Sequence, residues 1–216
     1  MPLATLTKTG YVVVVLLVVT IKEESFVDNR VLGAIAVICA PALLVEEVLR
    51  QGEANALITS IASMVFMAGW ICSNIGMQQM RTTGTSTWGR AVLLIQLIGL
   101  VLAFIFGFIE ATVLLDENNI VFIVTDAAWP LSMLWMVVVG ITVIRAKRLS
   151  GWQRLIPVLC PLWLPLAALG WTAFGDAGSV IGFVYSTVLW ILLGYVIFLG
   201  GERRQGATPT PDSSVQ

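Results

Sequence analysis

The run AVLLIQLIGLVLAFIFGFIEATVLL (residues 91–115) is followed, after the polar turn Asp116–Asn119, by IVFIVTDAAWPLSMLWMVVVGITVI (residues 120–144). Each run holds one ionisable side chain, Glu110 in the first and Asp126 in the second. A helix rises about 1.5 Å per residue, so either run is longer than the ~30 Å hydrocarbon core of a bilayer. Two such runs joined by a short polar turn form a hairpin that only lipid solvates. Helices or closed barrels alone satisfy the backbone there, and the ten-residue alternation of barrel strands is absent.

The rest of the chain reads the same way. Of its 216 residues 58% are hydrophobic and 12% charged, with a mean hydropathy of +0.93. An ordinary soluble domain carries roughly 25% charged residues. Seven segments are predicted to span: Leu3–Ile21, Val31–Leu49, Ala54–Met80, Ala91–Leu115, Ile120–Ile144, Leu155–Phe174 and Gly178–Gly200. The first is interrupted by Lys8, which lies near enough to its end to snorkel. The expected fold is an all-α integral membrane domain, a seven-transmembrane-helix bundle over residues 1–200. A tail rich in Pro, Thr and Ser (residues 201–216) is expected to be disordered.

Charge sets the expected orientation. Lys22, Arg30, Arg81, Arg90, Arg145, Lys147, Arg148, Arg154, Arg203 and Arg204 fall on one side, and Lys8 and Arg50 on the other. The positive-inside rule then places the N-terminus outside and the C-terminus in the cytoplasm. Acids sort the opposite way: Glu46, Glu47, Glu53, Glu110, Asp116, Glu117, Asp126 and Asp176 gather at the outer side.

Composition excludes several chemistries. With no histidine in the chain, no haem or metal is ligated by histidine, and the seven-helix zinc hydrolases of membranes are ruled out. Cys39, Cys72 and Cys160 are widely spaced and form no C-x-x-C pair. A net charge of −1 offers no basic field to nucleic acid. No glycine-rich phosphate loop occurs, and no connection is long enough for a soluble domain. The N-terminus lacks the basic region and small-residue cleavage site of a signal peptide.

Polar groups inside spans are costly, so they nominate sites. Glu110 and Asp126 lie equally far from the Asp116–Asn119 turn, at one depth on consecutive antiparallel spans, and are the candidate proton or cation site. Gly99, Ala103, Gly107 and Ala111 form a small-residue stripe in the same helical sector as Gln96 and Glu110, which marks a protein-facing surface and adds Gln96 to the site. Pro130 removes the helical donor for the Asp126 carbonyl, and Pro157, Pro161 and Pro165 remove successive donors along one side of the sixth span. Kinks are expected at all four prolines. Trp70, Trp135, Trp163 and Trp190 fall near span centres and are the candidate lining of a lipophilic pocket. Gly178 and Gly182, with Ser186, form a second helix-packing seam.

The stretch RAKRLSGWQRLIPVLCPLWLPL (Arg145–Leu166) resembles segments of uncharacterised small multi-pass proteins of bacterial cytoplasmic membranes. The resemblance implies a bacterial inner membrane and no activity. In size and topology the chain is similar to retinal proteins, but Gly178–Gly200 has no lysine for a Schiff base, so covalent retinal is excluded. The sugar transporters with triple-helix repeats share the topology, but neither their Pro-Gln motif nor their repeat occurs.

The leading expectation is a non-catalytic protein: an accessory subunit packing against other membrane polypeptides or itself, a binder of a lipophilic ligand, or both. The alternative is a small transporter or ion- or proton-coupled carrier using Glu110 and Asp126. An intramembrane enzyme ranks last, because no nucleophile stands at credible spacing from a base.

Overall fold

The computed structural model describes residues 27–52, 55–112 and 119–205. The expected first span, Leu3–Ile21, lies outside them. Helix starts are written locally. Asp28 accepts a hydrogen bond from Arg30 N–H at 3.1 Å, Asn55 from Leu57 N–H at 2.9 Å and Asn119 from Val121 N–H at 2.9 Å. Each side chain satisfies one donor that a helix leaves orphaned at its first turn.

These caps and the apolar runs behind them build α1 (Asn29–Cys39), α2 (Ala42–Gln51), α3 (Ala56–Gln79), α4 (Thr87–Thr112) and α5 (Ile120–Ala146). There follow α6 (Ile156–Leu159), α7 (Trp163–Phe174) and α8 (Asp176–Gln205). Pro41 separates α1 from α2, which together make one span. Among the described residues, six helical spans are thus long and apolar enough to cross a membrane: Asn29–Gln51, Ala56–Gln79, Thr87–Thr112, Ile120–Ala146, Ile156–Phe174 and Val180–Gly200. Five residues of the expected tail continue α8 as far as Gln205.

Prolines act differently by number. Pro130 sits inside an α5 that stays helical throughout. The span with Pro157, Pro161 and Pro165 is broken instead, with 3-10 turns at Gly151–Arg154 and Cys160–Leu162 on either side of α6. One lost donor leaves a single gap in the ladder, while three at four-residue spacing unpick one side of the helix. At the break the Trp163 N–H turns to the Pro161 carbonyl. The Leu159 carbonyl accepts the Tyr185 hydroxyl of α8 at 3.1 Å.

Each span packs on its neighbours in the chain, and the last returns to the first, closing a ring. Glycines set the closest approaches. A Cβ on Gly33 of α1 would fall 2.5 Å from the Phe198 nitrogen of α8, and one on Gly194 would fall 2.9 Å from the Val37 nitrogen. Large apolar side chains face outward on every span, with Ile38 78%, Ile120 70% and Phe174 73% exposed, while Asn74 (0%), Gln96 (1%) and Ser186 (0%) lie inside. Water would reverse that arrangement, and lipid favours it.

Up-and-down alternation gathers the ends of α2 and α4 and the starts of α3 and α5 at one end of the bundle. Glu46, Glu47, Glu110 and Asp126 belong to that end, with Arg50. Arg81, Arg90, Arg145, Lys147, Arg148 and Arg154 belong to the other.

Candidate functional site

A cavity of ≈ 520 Å³ opens at the acidic end, among α2, α3, α4 and α5. Helical spacing brings its walls together. On α2, Glu46 and Arg50 stand one turn apart; on α3, Ser63 and Met67 do the same. On α4, Ala103, Phe106 and Glu110 follow the i, i+3, i+7 spacing of one helix face, and on α5 Asp126 and Trp129 share a face. Glu110 and Asp126, from consecutive spans, therefore line one chamber. The acids cluster with Arg50 and Thr59, and Met67, Ala103, Phe106 and Trp129 give the chamber its apolar wall.

The polar contacts are specific. Ser60 Oγ donates to Glu110 Oε2 at 3.0 Å, tying α3 to α4. The Arg50 guanidinium pairs with Glu46 Oε1. The two partners differ in surroundings: the Arg50 side chain is 67% exposed and that of Glu46 only 12%. Glu46 Oε2 is buried and accepts no well-formed hydrogen bond, with the Ser63 hydroxyl beside the carboxylate. Thr59 turns its hydroxyl to the Ala56 carbonyl of its own helix, at 2.8 Å. Three carboxylates thus face one guanidinium, and the lining is rich in acceptors. Among the described residues, no group of three acidic or cysteine side chains is arranged to hold a metal ion.

The other candidates lie elsewhere. Gln96 is buried between α4 and α5, where its Nε2 donates to the Ser132 carbonyl at 3.2 Å. It shares the helical sector of Glu110 but stands about 21 Å away along the axis, at 1.5 Å per residue. The small residues of α4 serve two neighbours: a Cβ on Gly99 would strike Ser132 of α5, and one on Gly107 would lie 2.8 Å from Met64 of α3. Between them Ala103 opens on the cavity. Gly178 abuts the backbone of Gly170, and Gly182 abuts Ala167, so this seam joins α7 to α8.

The four central tryptophans divide among separate contacts. Trp70 and Trp190 pack at a tilt of 58° with ring centroids 4.6 Å apart, and Phe66 meets Trp190 edge-on at 5.5 Å. Trp163 lies 5.9 Å from Trp129 and 5.0 Å from Phe183. Trp135 donates its Nε1–H to the Val92 carbonyl at 2.9 Å. The indole N–H groups of Trp70, Trp163 and Trp190 are buried without partners. A smaller cavity of ≈ 170 Å³ lies at the basic end, lined by Met80, Arg148, Leu149, Gln153, Val196 and Gly200 among others. None of the four tryptophans lines either cavity.

Sequence reasoning did not assign Glu46, Arg50 or Ser60 to this site. The available signal was an acid and a base four residues apart inside an apolar span, the spacing at which helical side chains meet. Comparison with protein-family models, with curated proteins and with solved structures finds no match.

Proposed function

We propose that this chain is a non-catalytic integral membrane protein that binds a lipophilic ligand in the acidic-end cavity. The observation that carries this reading is the cavity itself. Its walls come from α2, α3, α4 and α5, it mixes Met, Phe and Trp surface with a few charged groups, and its ≈ 520 Å³ suits a small molecule. With Leu3–Ile21 as a seventh span, the charge bias directs this end outward, with the N-terminus outside and the C-terminus in the cytoplasm. Together with the resemblance of Arg145–Leu166, that supports a bacterial cytoplasmic membrane as its location. The exposed apolar faces of the ring leave room for further membrane polypeptides, in keeping with an accessory role.

The test is gentle extraction from the source membrane, followed by native mass measurement and an absorbance scan. A mass increment or chromophore beyond the bare chain and bulk phospholipid is the expected result. A bare chain that also fails to take up any added amphiphile would overturn the reading.

One observation favours a second reading, a small carrier. The two cavities lie at opposite ends, and the packed Phe66, Trp70 and Trp190 occupy the core of the bundle. A carrier using Glu110 and Asp126 predicts that Asp126→Asn abolishes a proton or cation flux in liposomes while folding is retained. A flux equal to that of the unaltered protein would exclude it.

A further inference from the structure

The chemistry of the ligand can be narrowed further, on the footing that the acidic-end cavity is a binding site. We propose that the cavity selects a lipophilic cation with N–H donors, a primary or secondary ammonium on an apolar body.

Four observations carry this. Glu46, Glu110 and Asp126 face the chamber against Arg50 alone, so its lining has a formal deficit of positive charge. Charge left unbalanced in a low-dielectric setting is costly, and a bound cation offsets it. The second oxygen of Glu46 accepts no well-formed hydrogen bond, with the Ser63 hydroxyl beside the carboxylate, and the Glu46 side chain is only 12% exposed at the cavity wall. A buried acceptor of that kind calls for a donor.

Two hydroxyls are committed, Thr59 to the Ala56 carbonyl and Ser60 to Glu110, and the third, Ser63, stands beside the Glu46 carboxylate. An anionic or purely accepting ligand therefore meets acceptors and like charge. Finally, the three carboxylates do not form a metal-ligating group among the described residues, and beside them stand Met67, Phe106 and Trp129. Aromatic faces attract ammonium groups and also hold an apolar chain. A bare inorganic cation uses none of that surface.

Arg50 then has a definite role. It neutralises Glu46 from the exposed side of the pair and competes with the ligand for the same carboxylate. Removing Arg50 strengthens cation binding, and removing Glu46 weakens it. If the pair served only to hold α2 in place, losing either partner would act in the same direction.

The experiment uses the full chain in zwitterionic nanodiscs, with empty nanodiscs as the partition reference. The probes are octylammonium, octyltrimethylammonium, octanol and octanoate, read by calorimetry and by tryptophan fluorescence. Octylammonium is expected to bind about tenfold or more tightly than octanol, the discrimination due to a charge-assisted hydrogen bond. Octyltrimethylammonium, which has no N–H, is expected between the two, and octanoate is expected not to bind.

Glu46→Gln and Asp126→Asn are each expected to weaken octylammonium about tenfold while leaving octanol unchanged, and Arg50→Gln to tighten it. Should Glu46→Gln fail to fold, Asp126→Asn and Arg50→Gln carry the test. Octanol binding as tightly as octylammonium would overturn the cation preference and leave the binding cavity standing. Weakening by Arg50→Gln as well as by Glu46→Gln would overturn the competitive role. If no probe binds, both the preference and the ligand-binding reading fall.

Discussion

The ring of spans closes where α1 meets α8, and that closure rests on a glycine. A Cβ on Gly33 would lie 2.5 Å from the Phe198 nitrogen, 2.7 Å from the Gly194 carbonyl oxygen and 2.8 Å from the Phe198 Cα. All three are backbone atoms, so no rotamer change relieves the contact. For Gly33→Ala, ordinary contact at about 3.4 Å requires α8 to retreat by about 0.9 Å. Neighbouring side chains lose dispersion contacts as it does so. Overpacking of this kind costs about 1–3 kcal/mol. On the scale of a chain of 150–250 residues, about 2 kcal/mol corresponds to a fall in Tm on the order of 4–8 °C. Intrinsic helix propensity works the other way, since alanine is favoured over glycine by about 1 kcal/mol. A measured fall is therefore a lower bound on the clash. The assay is thermal unfolding in detergent followed by tryptophan fluorescence. Gly52→Ala serves as control, because its nearest atoms stand at 3.4 and 3.6 Å. A Gly33→Ala protein that melts above the unaltered chain, as the gain in propensity alone would have it, would refute the close approach of α1 and α8.

Three further outcomes follow from the packing. Trp190→Ala should cost about 3–5 kcal/mol, as large-to-small core changes do, whereas Trp190→Phe should cost less than about 1.5 kcal/mol, because the indole N–H has no partner to lose; equal losses in chemical denaturation would contradict the packed Phe66–Trp70–Trp190 cluster. Tyr185→Phe leaves the Leu159 carbonyl without its hydroxyl partner and should lower stability by about 1–3 kcal/mol; a Tm unmoved by the change would mean that the break at Cys160–Leu162 needs no support from α8. With Cys39, Cys72 and Cys160 replaced, single cysteines at Asn55 and Ser150 should react with a membrane-impermeant maleimide from opposite faces of sealed vesicles, and reaction of both from one face would rule out the up-and-down pairing of α3 and α5.

What the sequence makes legible here follows from the cost of charge in lipid. Arginines and acids have to sit outside the hydrocarbon, so span edges can be located by eye. The six described spans begin and end within about four residues of the edges that these breaks predict. Depth along a span follows from counting, which is how Glu110 and Asp126 come out level. Rotation about the helix axis is a different matter. A lipid-facing side is as apolar as a core-facing one, so periodicity carries little information about which face turns inward. Gln96 shows the consequence, sharing the sector of Glu110 while facing Ser132 at another level. The tryptophans show it again: their depth is readable, and their partition into two clusters and a helix contact is not. Glu46 reads from sequence as one more interfacial acid beside Glu47. Its burial depends on α3 packing against α2, a tertiary fact.

The cavity itself has a packing origin, and this leads to a substitution that separates site from scaffold. On α4 the small residues at positions 99 and 107 are consumed by close approaches to Ser132 of α5 and Met64 of α3. Ala103, between them, is 5% exposed, belongs to the buried core and lines the chamber. A short side chain there keeps the space open between two helices that α4 holds apart. Ala103→Leu is expected to fill part of the chamber. Cavity-filling substitutions commonly add about 0.5–2 kcal/mol of stability. The expected result is a Tm unchanged or raised, with octylammonium and octanol binding both weakened, since the obstruction is steric and blind to charge. Glu46→Gln, in contrast, is expected to affect octylammonium alone. A fall in Tm with binding intact would show that Ala103 is wedged against α3 or α5, and the account of how this cavity arises would then be wrong.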